Sequence, residues 1–468
     1  MVHFTLRLQL VFPFLYFLLV ALRREKTNKS SKKLFQNMNI LKKKDKPTVS
    51  EICKIGIIHQ YSSNEVFPLR SLIPTDNSFP TNANVTLLPV PTKPKQDEWH
   101  MYDIVVFYEL SLKEHIDQLV PVVIGANVDK KSSVFTVVYH KEAFECVLFR
   151  QECTQLGVNM VTFDSRAFVH ACRLIASTIK QIAQSQEHSE ATYACPYPKC
   201  FIKGLSAHNL WEHCPLYHIG IPNKVKVDCP ICEGKEKGSG RSSNVPFQVH
   251  LYNTHGPPDH VPEYKFGTSS YIFSLVVVKR PQDNKYLMVQ EYGDCGFWLP
   301  GGRVDPGEEL CAAAIRETQE EAGVSIQLKG SLMFFVYSFF VVLKGILRVE
   351  FNAIKRHSRE DCYDRMRVIF YAEPLETKHA EKDLKHKSDD KNDDKNVIPK
   401  SIPNYESIGA CWVSIEELNS GSIQLRGQEP LQWFNYVNDR KPIHDMHLIN
   451  SWQLILKNYI KIKKKVEN

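Results

Sequence analysis

Three glutamates, Glu317, Glu320 and Glu321, stand at spacings that place them on one stripe of a predicted helix. Residues 308–322 are rich in good helix formers, and Gly323 follows them as a residue that commonly ends a helix. Three like charges on one stripe repel one another unless a counter-ion lies beside them. A divalent cation meets that need, and hard carboxylate oxygens favour Mg²⁺ or Mn²⁺. The spacing therefore predicts a metal-dependent reaction centre on this helix.

The elements around the helix must hold these carboxylates in place. Arg316 adjoins Glu317 and can fix a carboxylate through a bidentate hydrogen-bonded pair. An apolar run ends at Leu299, and the turn signal Pro306-Gly307 leads from it into the helix. Small and apolar residues recur at helical spacing and predict the face that packs on the core: Cys311, Ile315, Thr318 and Ala322.

The string from Gly302 to Val324 resembles the signature of the nudix family. It runs Gly302, five residues, Glu308, seven residues, Arg316-Glu317, then Glu320-Glu321 and Ala322-Gly323-Val324. One position departs from the signature, because the family usually has a bulky aliphatic residue where Thr318 stands. The resemblance covers residues 264–460 and implies an α/β protein with the nudix α/β/α sandwich. It also implies a pyrophosphohydrolase that uses Mg²⁺ or Mn²⁺ to cleave a phosphoanhydride bond in a nucleoside-diphosphate-linked substrate.

The same resemblance implies a role for each residue of the string. Glu317 would be either a metal ligand or the base that activates water, and Arg316 would orient it. Glu308 would be an outer metal ligand or a structural partner. The metal ligands that the resemblance implies are the Gly301 carbonyl and the carboxylates of Glu317, Glu320 and Glu321.

Residues 193–260 form a second region that could bind metal, because they are dense in Cys and His. Two sets of four residues have ligand spacing, the first with twelve residues and the second with seventeen between its last Cys and its first His. Thiolate and imidazole together favour Zn²⁺, and so small a core would need the metal to fold. The first set is Cys195, Cys200, His213 and His218, with Cys214 as an alternative ligand, and the second is Cys229, Cys232, His250 and His255.

This region resembles C2H2 zinc fingers in spacing only. The helix predicted around residues 205–214 contains no Arg or Lys, which fingers that read DNA place on base edges. We therefore expect a structural module or a docking surface for a protein partner. Contact with RNA stays open, and a salt-dependent affinity would reveal it.

Strands that alternate with helices predict a small α/β domain of unknown role over residues 100–187, with a mainly parallel sheet. Its predicted strands are Asp103–Tyr108, Val120–Ile124, Val134–Tyr139 and Val158–Phe163, and its predicted helices are Leu112–Gln118, Lys141–Gln155 and Arg166–Gln184. Residues 74–97 are rich in Pro, Asn and Thr and predict a linker.

In the nudix-like region the strands predicted before and after the helix are Tyr271–Val278, Tyr286–Glu291, Arg365–Tyr371 and Ala410–Val413. Residues 379–400 are highly charged and predict a solvated loop. Residues 331–345 contain an apolar run between two Leu-Lys-Gly copies, which predicts an insertion or a retained intron, with two buried strands as the alternative.

The bulk composition limits where the chain works and what it binds. The net charge of +7 is concentrated near the two ends of the chain, which is more typical of tails than of a nucleic-acid groove. Thirteen cysteines, an odd number, favour reduced thiols and a cytoplasmic or nuclear location. Residues 1–49 combine an apolar segment with a basic tail that is predicted to be disordered. Only residues 4–22 could contact a membrane, as an anchor or a signal peptide, and a misassigned start codon would explain them equally well.

Two classes of function compete for this chain. The first is an enzyme, the nudix hydrolase with a zinc-binding accessory region. The alternative is a nucleic-acid- or protein-binding protein whose nudix domain only senses a nucleotide. The complete set of glutamates favours the enzyme, because a sensor tends to lose them. A third possibility is an RNA-processing enzyme to which the zinc region delivers a capped or triphosphorylated RNA.

Overall fold

The first sheet is built from short strands of β-branched and aromatic residues that are buried on both faces. In a computed structural model of the chain, its described strands lie in the order β2-β1-β3-β4-β5 and are all parallel. They are β1 (Cys53–His59), β2 (Ala83–Pro89), β3 (Ile104–Tyr108), β4 (Phe135–Tyr139) and β5 (Met160–Thr162). This order is typical of doubly wound α/β domains.

The structure describes residues 53–60, 83–91, 99, 101–125, 133–185, 192–198, 200–218, 220–222, 225–232, 246–257, 270–327, 343–354, 363–375 and 397–444. The predicted N-terminal segment over residues 1–49 lies outside these ranges. So do residues 379–396 of the charged loop and residues 331–342 of the suspected insertion. Within the described ranges, no helix combines the length and apolar character that a membrane crossing needs.

Helices cover both faces of the first sheet. They are α1 (Asp117–Gly125), α2 (Val147–Gln155) and α3 (Ser165–Ser185). Helix α3 packs on one face through Phe168 and Ile175. Helices α1 and α2 pack on the other face, where Val123 and Phe149 are buried. The sheet is thus the middle layer of a three-layer domain.

Two predictions for this domain were wrong. Residues 120–124 form part of helix α1 rather than a strand, because Val120 and Val123 lie one turn apart and both face the sheet. A short apolar run has no period that separates a strand from a buried helix turn. The predicted linker over residues 74–97 contains strand β2, whose partly exposed residues and terminal Pro89 are typical of an edge strand. The sheet therefore includes strands that precede residue 100.

The Cys/His region follows α3 and contains little regular structure apart from α4 (Ala207–His218) and α5 (Phe247–His255). The two helices pack on each other around a small apolar core that includes Leu205, Leu210 and Leu251. Gln248 on α5 donates a hydrogen bond to the backbone carbonyl of His218 at the end of α4 (2.9 Å). This buried amide fixes the relative positions of the two helices.

The remaining strands form two sheets of the α/β/α sandwich. In the described residues the larger sheet has the order β10-β12-β6-β9, with β11 paired to β12, and the smaller has the order β13-β7-β8. The four strands predicted in this region are confirmed, with each boundary within three residues of the prediction. The strands are β6 (Ser270–Val278), β7 (Tyr286–Gln290), β8 (Phe297–Trp298), β9 (Gly301–Arg303), β10 (Ile326–Gln327), β11 (Leu343–Ile354), β12 (Tyr363–Pro374) and β13 (Gly409–Val413).

Helices lie on both sides of these sheets. Helix α6 (Leu310–Ala322) packs on one side, and α7 (Ile415–Asn419) and α8 (Glu429–Asn438) pack on the other. The last residues of the suspected insertion, 343–345, begin strand β11, which pairs with β12 along its whole length.

A buried arginine joins the first domain to the sandwich. Arg150 on α2 is fully buried, and its Nε donates to Oε1 of Gln290 on β7 (2.9 Å). Its other nitrogens donate to the backbone carbonyls of Ala143, Val161 and Ile408. Within the described residues no carboxylate contacts this cation. It is satisfied only when the two domains are docked.

Arg150→Ala should lower the free energy of unfolding by about 3–5 kcal/mol, because it leaves a cavity and several unpaired polar groups. Urea denaturation followed by circular dichroism measures the change. Arg166→Ala is the matched control, since the Arg166 side chain is 84% exposed. It should change stability by about 0.5 kcal/mol or less. Equal shifts for the two variants would contradict the role assigned to Arg150.

Candidate hydrolytic site

Helix α6 carries the three predicted carboxylates and ends where the sequence indicates. Gly323 follows it in the left-handed conformation, with φ of 67°, and its amide donates to the Gln319 carbonyl. The helix begins at Leu310, two residues after the predicted start. Of the four residues predicted to face the core, Thr318 and Ala322 are fully buried and the other two are partly buried.

Arg316 binds the side chains of three glutamates at once. Its Nε and one terminal nitrogen donate to the two carboxylate oxygens of Glu308, both at 2.8 Å. The other terminal nitrogen donates to Glu317 (2.8 Å) and Glu320 (3.0 Å). A further bond to the Arg303 carbonyl (3.0 Å) ties the guanidinium to β9. The planar donor fork of arginine suits this arrangement, and a lysine could not reproduce it.

Both oxygens of Glu308 take part in this network. One of them also accepts a hydrogen bond from the backbone amide of Asp305 (3.0 Å). The bond from Arg316 keeps the pKa of Glu308 below its usual range. These contacts favour the role of structural partner for Glu308 over that of an outer metal ligand.

Glu317 on helix α6 places its carboxylate beside Gly302 of strand β9. Its side chain is 9% exposed, and a Cβ atom at Gly302 would come within 2.5 Å of its carboxylate, so a larger residue at position 302 would displace that carboxylate. Burial raises the pKa of Glu317 to about 8, although Arg316 opposes the shift. The carboxylate is thus held in a place where its negative charge lacks sufficient compensation.

Glu321 points back to the strand that leads into the site. The backbone amide of Gly301 donates to one of its oxygens (2.9 Å). Burial raises the pKa of Glu321 well above its usual range, and the charges of Glu291 and Glu317 add to the effect. Neighbouring carboxylates with raised pKa values are typical of functional sites.

A loop over residues 397–407 closes the C-terminal end of helix α6. Lys400 donates from Nζ to the Glu320 carbonyl (2.7 Å) and from its backbone amide to the Ala322 carbonyl (2.8 Å). Ser407 donates to the Glu321 carbonyl (2.5 Å). These bonds satisfy carbonyls that the helix itself leaves open, and they fix the backbone beneath two of the predicted ligands.

The sequence did not reveal three charged residues beside the site. Glu291 follows strand β7 directly, and Arg426 donates to its carboxylate (3.0 Å). Glu406 belongs to the loop over residues 397–407. All three line a cleft of about 200 Å³ that also reaches Glu321. Glu291 could have been suspected from the sequence, because it directly follows a buried strand. No local sequence pattern marks Glu406 or Arg426.

The structure brings each predicted Cys/His set together, with one ligand atom of every member within 4.8 Å of the others. In the first set, the His213 and His218 Nε2 atoms lie 3.1 Å apart, and Cys200 Sγ lies 3.4 Å from His213 Nε2. In the second set, Cys232 Sγ lies 3.2 Å from His255 Nε2. Such donors at such distances fit one tetrahedral divalent ion in each set.

The alternative ligand Cys214 lies outside both gathered sets. It is fully buried in the apolar core of the region, together with Leu210 and Leu251. The first set already supplies four donor atoms, the number that a tetrahedral zinc site uses, without it.

Residues 272–434 match the family model described as the NUDIX domain. Similar solved structures include a NUDIX hydrolase from Nitrosomonas europaea, with 16% identity, 38% of this chain and 95% of that chain covered, and a TM-score of 0.24. A MutT protein from Methanosarcina mazei Go1 is 16% identical, and the match covers 37% of this chain and 99% of that chain with a TM-score of 0.22. The E. coli dihydroneopterin triphosphate pyrophosphohydrolase is 14% identical, and the match covers 35% of this chain and 91% of that chain with a TM-score of 0.21. Likeness at this level carries no information about the substrate. No curated protein matches the chain significantly.

Residues 272–434 are therefore a NUDIX domain. This domain, with its acidic helix α6, supports a nudix-type pyrophosphohydrolase, a hydrolase that acts on acid anhydrides. Enzymes with this domain generally use divalent metal ions, and the acidic cluster on α6 suits one.

Arg316→Lys should lower kcat on the order of 100-fold, because lysine keeps the charge but cannot hold three carboxylates in register. Steady-state kinetics measure the loss, and the melting temperature checks that the fold is kept. Arg348→Lys serves as the control, since Arg348 is 56% exposed and contacts Glu350 and the Trp433 ring. Unchanged kcat in Arg316→Lys would contradict the positioning role.

Proposed function

We propose that this chain hydrolyses a phosphoanhydride bond in a nucleoside-diphosphate-linked substrate with the help of Mg²⁺ or Mn²⁺. The observation that carries the proposal is the convergence of Glu317, Glu320 and Glu321 on one side of helix α6, where Arg316 and the Gly301 amide hold them. Burial leaves this group short of positive charge. A hard divalent cation with the substrate's phosphates is the partner that completes it.

Each residue has a defined task in this reaction. Glu320, Glu321 and the Gly301 carbonyl would hold the metal, which when bound neutralises charge on the phosphates and lowers the pKa of water. Glu317 would complete the ligand set or accept the proton of the attacking water. Arg316 keeps Glu317 in place in either role.

Glu320→Gln should abolish hydrolysis, with a loss of about 1000-fold or more, because it removes a charged metal ligand. The assay is a panel of nucleoside-diphosphate derivatives with Mg²⁺, and Mn²⁺ binding followed by electron paramagnetic resonance should weaken in parallel. Glu309→Gln is the control at the opposite end of the same helix, since Glu309 is exposed and makes no cap hydrogen bond. Tight nucleotide binding by the native chain without turnover would favour the sensor over the enzyme.

We infer that the two Cys/His sets bind Zn²⁺ as structural ions. A tetrahedral zinc ion with Zn–S of about 2.3 Å and Zn–N of about 2.0 Å holds its ligand atoms roughly 3.3–3.8 Å apart. The sulfur–nitrogen distances of 3.2–3.5 Å in both sets lie close to that range. A partner-recruiting role for this region stays a prediction, as does RNA contact.

Elemental analysis of the purified full chain should give about two zinc ions per molecule, one for each four-ligand set. Cys200→Ser should leave about one. Cys214→Ser should keep both, because Cys214 lies outside the gathered donors, and Cys311→Ser is a control on helix α6. A zinc content near zero would overturn the assignment, and loss of one ion in Cys214→Ser would restore Cys214 as a ligand.

A further inference from the structure

Arg426 is the one cation among the described residues that line the cleft beside helix α6. One wall of this cleft of about 200 Å³ belongs to the NUDIX domain and includes Glu291, Glu321 and Arg426. The opposite wall includes Tyr252 and Asn253 of helix α5, from the Cys/His region. A predicted metal ligand and a guanidinium therefore face the same space.

The Arg426 side chain is open to solvent and has hydrogen-bond donors to spare. It is 54% exposed, and its Nη1 donates to Oε1 of Glu291 (3.0 Å). Its Nε and Nη2 donate to no acceptor among the described residues. These two nitrogens form the edge through which Arg316 binds both oxygens of Glu308. A phosphate group offers a similar pair of oxygens, and arginine commonly binds it in the same two-bond manner.

Strand β8 fixes Arg426 relative to the predicted metal ligands. The backbone amide of Arg426 donates to the Phe297 carbonyl (3.0 Å), and its guanidinium carbon lies 5.6 Å from the centre of the Trp298 ring. Gly301 follows three residues after Trp298, and its amide donates to the Glu321 carboxylate (2.9 Å). Arg426 and Glu321 are thus both attached to one short segment, so the chain sets their relative positions before a substrate binds.

The hydroxyl groups of two tyrosines in the cleft are directed to other partners. The Tyr405 hydroxyl donates to the carbonyl of Trp211 on α4 (2.6 Å), and the Tyr252 hydroxyl donates to the Glu406 carboxylate (3.5 Å). The Tyr405 ring lies 4.7 Å from the Trp211 ring and 5.3 Å from the Tyr252 ring on α5. These contacts attach the Cys/His region to the loop that holds the end of α6, and they leave Arg426 as the better donor for an anion.

The charges of the cleft suit an anion that arrives with a metal ion. Three carboxylates line it, those of Glu291, Glu321 and Glu406, against the guanidinium of Arg426. This excess of negative charge repels a free anion. A divalent cation held at Glu321 would neutralise the excess, and Arg426 then provides further positive charge for a second phosphate.

We propose that Arg426 binds a phosphate of the substrate through its Nε and Nη2, so that the diphosphate spans from the metal at Glu321 to this guanidinium. The proposal rests on the proposed function for its metal and its substrate class. Glu291 keeps the guanidinium in the cleft through Nη1, and that ion pair stays intact when the other edge binds phosphate. Arg426 is thus a substrate-binding residue outside the acidic helix.

The test measures binding of methylenediphosphonate, a diphosphate analogue with a P–C–P bridge, to the full chain with Mn²⁺ by calorimetry. Arg426→Gln should weaken this binding on the order of 10-fold, because it removes charge-assisted hydrogen bonds. Arg426→Lys should lose less, because it keeps the charge but not the planar fork. Affinity for Mn²⁺ alone, followed by electron paramagnetic resonance, should stay unchanged in both variants.

Arg348→Gln is the matched control and should leave both affinities unchanged. Like Arg426, Arg348 is more than half exposed, pairs with a glutamate and lies over a tryptophan ring (6.0 Å), but it is not part of the cleft lining. Melting temperatures check that every variant keeps its fold.

Glu291→Gln separates phosphate binding from a purely structural ion pair. It removes the partner of Arg426 but keeps the guanidinium, so methylenediphosphonate binding at saturating Mn²⁺ should change little. Equal losses in Glu291→Gln and Arg426→Gln would overturn the proposal, as would unchanged binding in Arg426→Gln. A native chain that binds Mn²⁺ but not methylenediphosphonate would also overturn it. A native chain that binds neither and hydrolyses no substrate would instead contradict the proposed function.

Discussion

The buried charge of Arg150 is the interaction on which the arrangement of the domains depends. All the atoms that accept its hydrogen bonds are neutral, and they come from α2's own domain and from the NUDIX domain. Burial lowers the pKa of this guanidinium because no carboxylate among the described residues offsets its charge. A buried cation without a paired carboxylate is stabilised only by the neutral hydrogen-bond acceptors around it. The docking of the two domains is therefore strongly specified, and Gln290, one of its acceptors, directly precedes Glu291 at the cleft.

The loop over residues 397–407 connects the domain interface to the site. Its backbone meets β13 beside Arg150, its Lys400 and Ser407 hold the end of α6, and its Tyr405 anchors the Cys/His region. Three parts of the chain thus meet on one irregular segment. Loops positioned by a rigid scaffold commonly carry function, and here the loop positions two predicted metal ligands and the opposite wall of the cleft.

Local chemistry made the acidic helix and the Cys/His sets predictable, because their residues lie close in sequence and obey helical or ligand spacing. The same holds for β3 and β4, whose β-branched and aromatic runs are bounded by turns. Residues 120–124 were wrongly predicted to be a strand, because Val is common in strands and the run was too short to show a helical period. Asn253 and Tyr405 could not be predicted as neighbours of the site, since only tertiary contacts bring them to Glu321, from about 70 and about 80 residues away in sequence. Arg150 and Gln290 are 140 residues apart, and no pattern links them.

The sharing of Tyr405 between α4 and α5 has a consequence for how the chain folds during synthesis. The Cys/His region is made long before Tyr405, yet that ring covers part of its core. The first domain likewise lacks two of its hydrogen bonds until later residues are made. Arg150 donates to the Ile408 carbonyl, and the Thr162 and Ser401 hydroxyls lie 2.8 Å apart. A nascent chain that has not reached about residue 410 therefore displays two unfinished surfaces. Contacts of such long sequence separation slow folding and expose apolar surface meanwhile, so both surfaces are completed only after about residue 410 has been made.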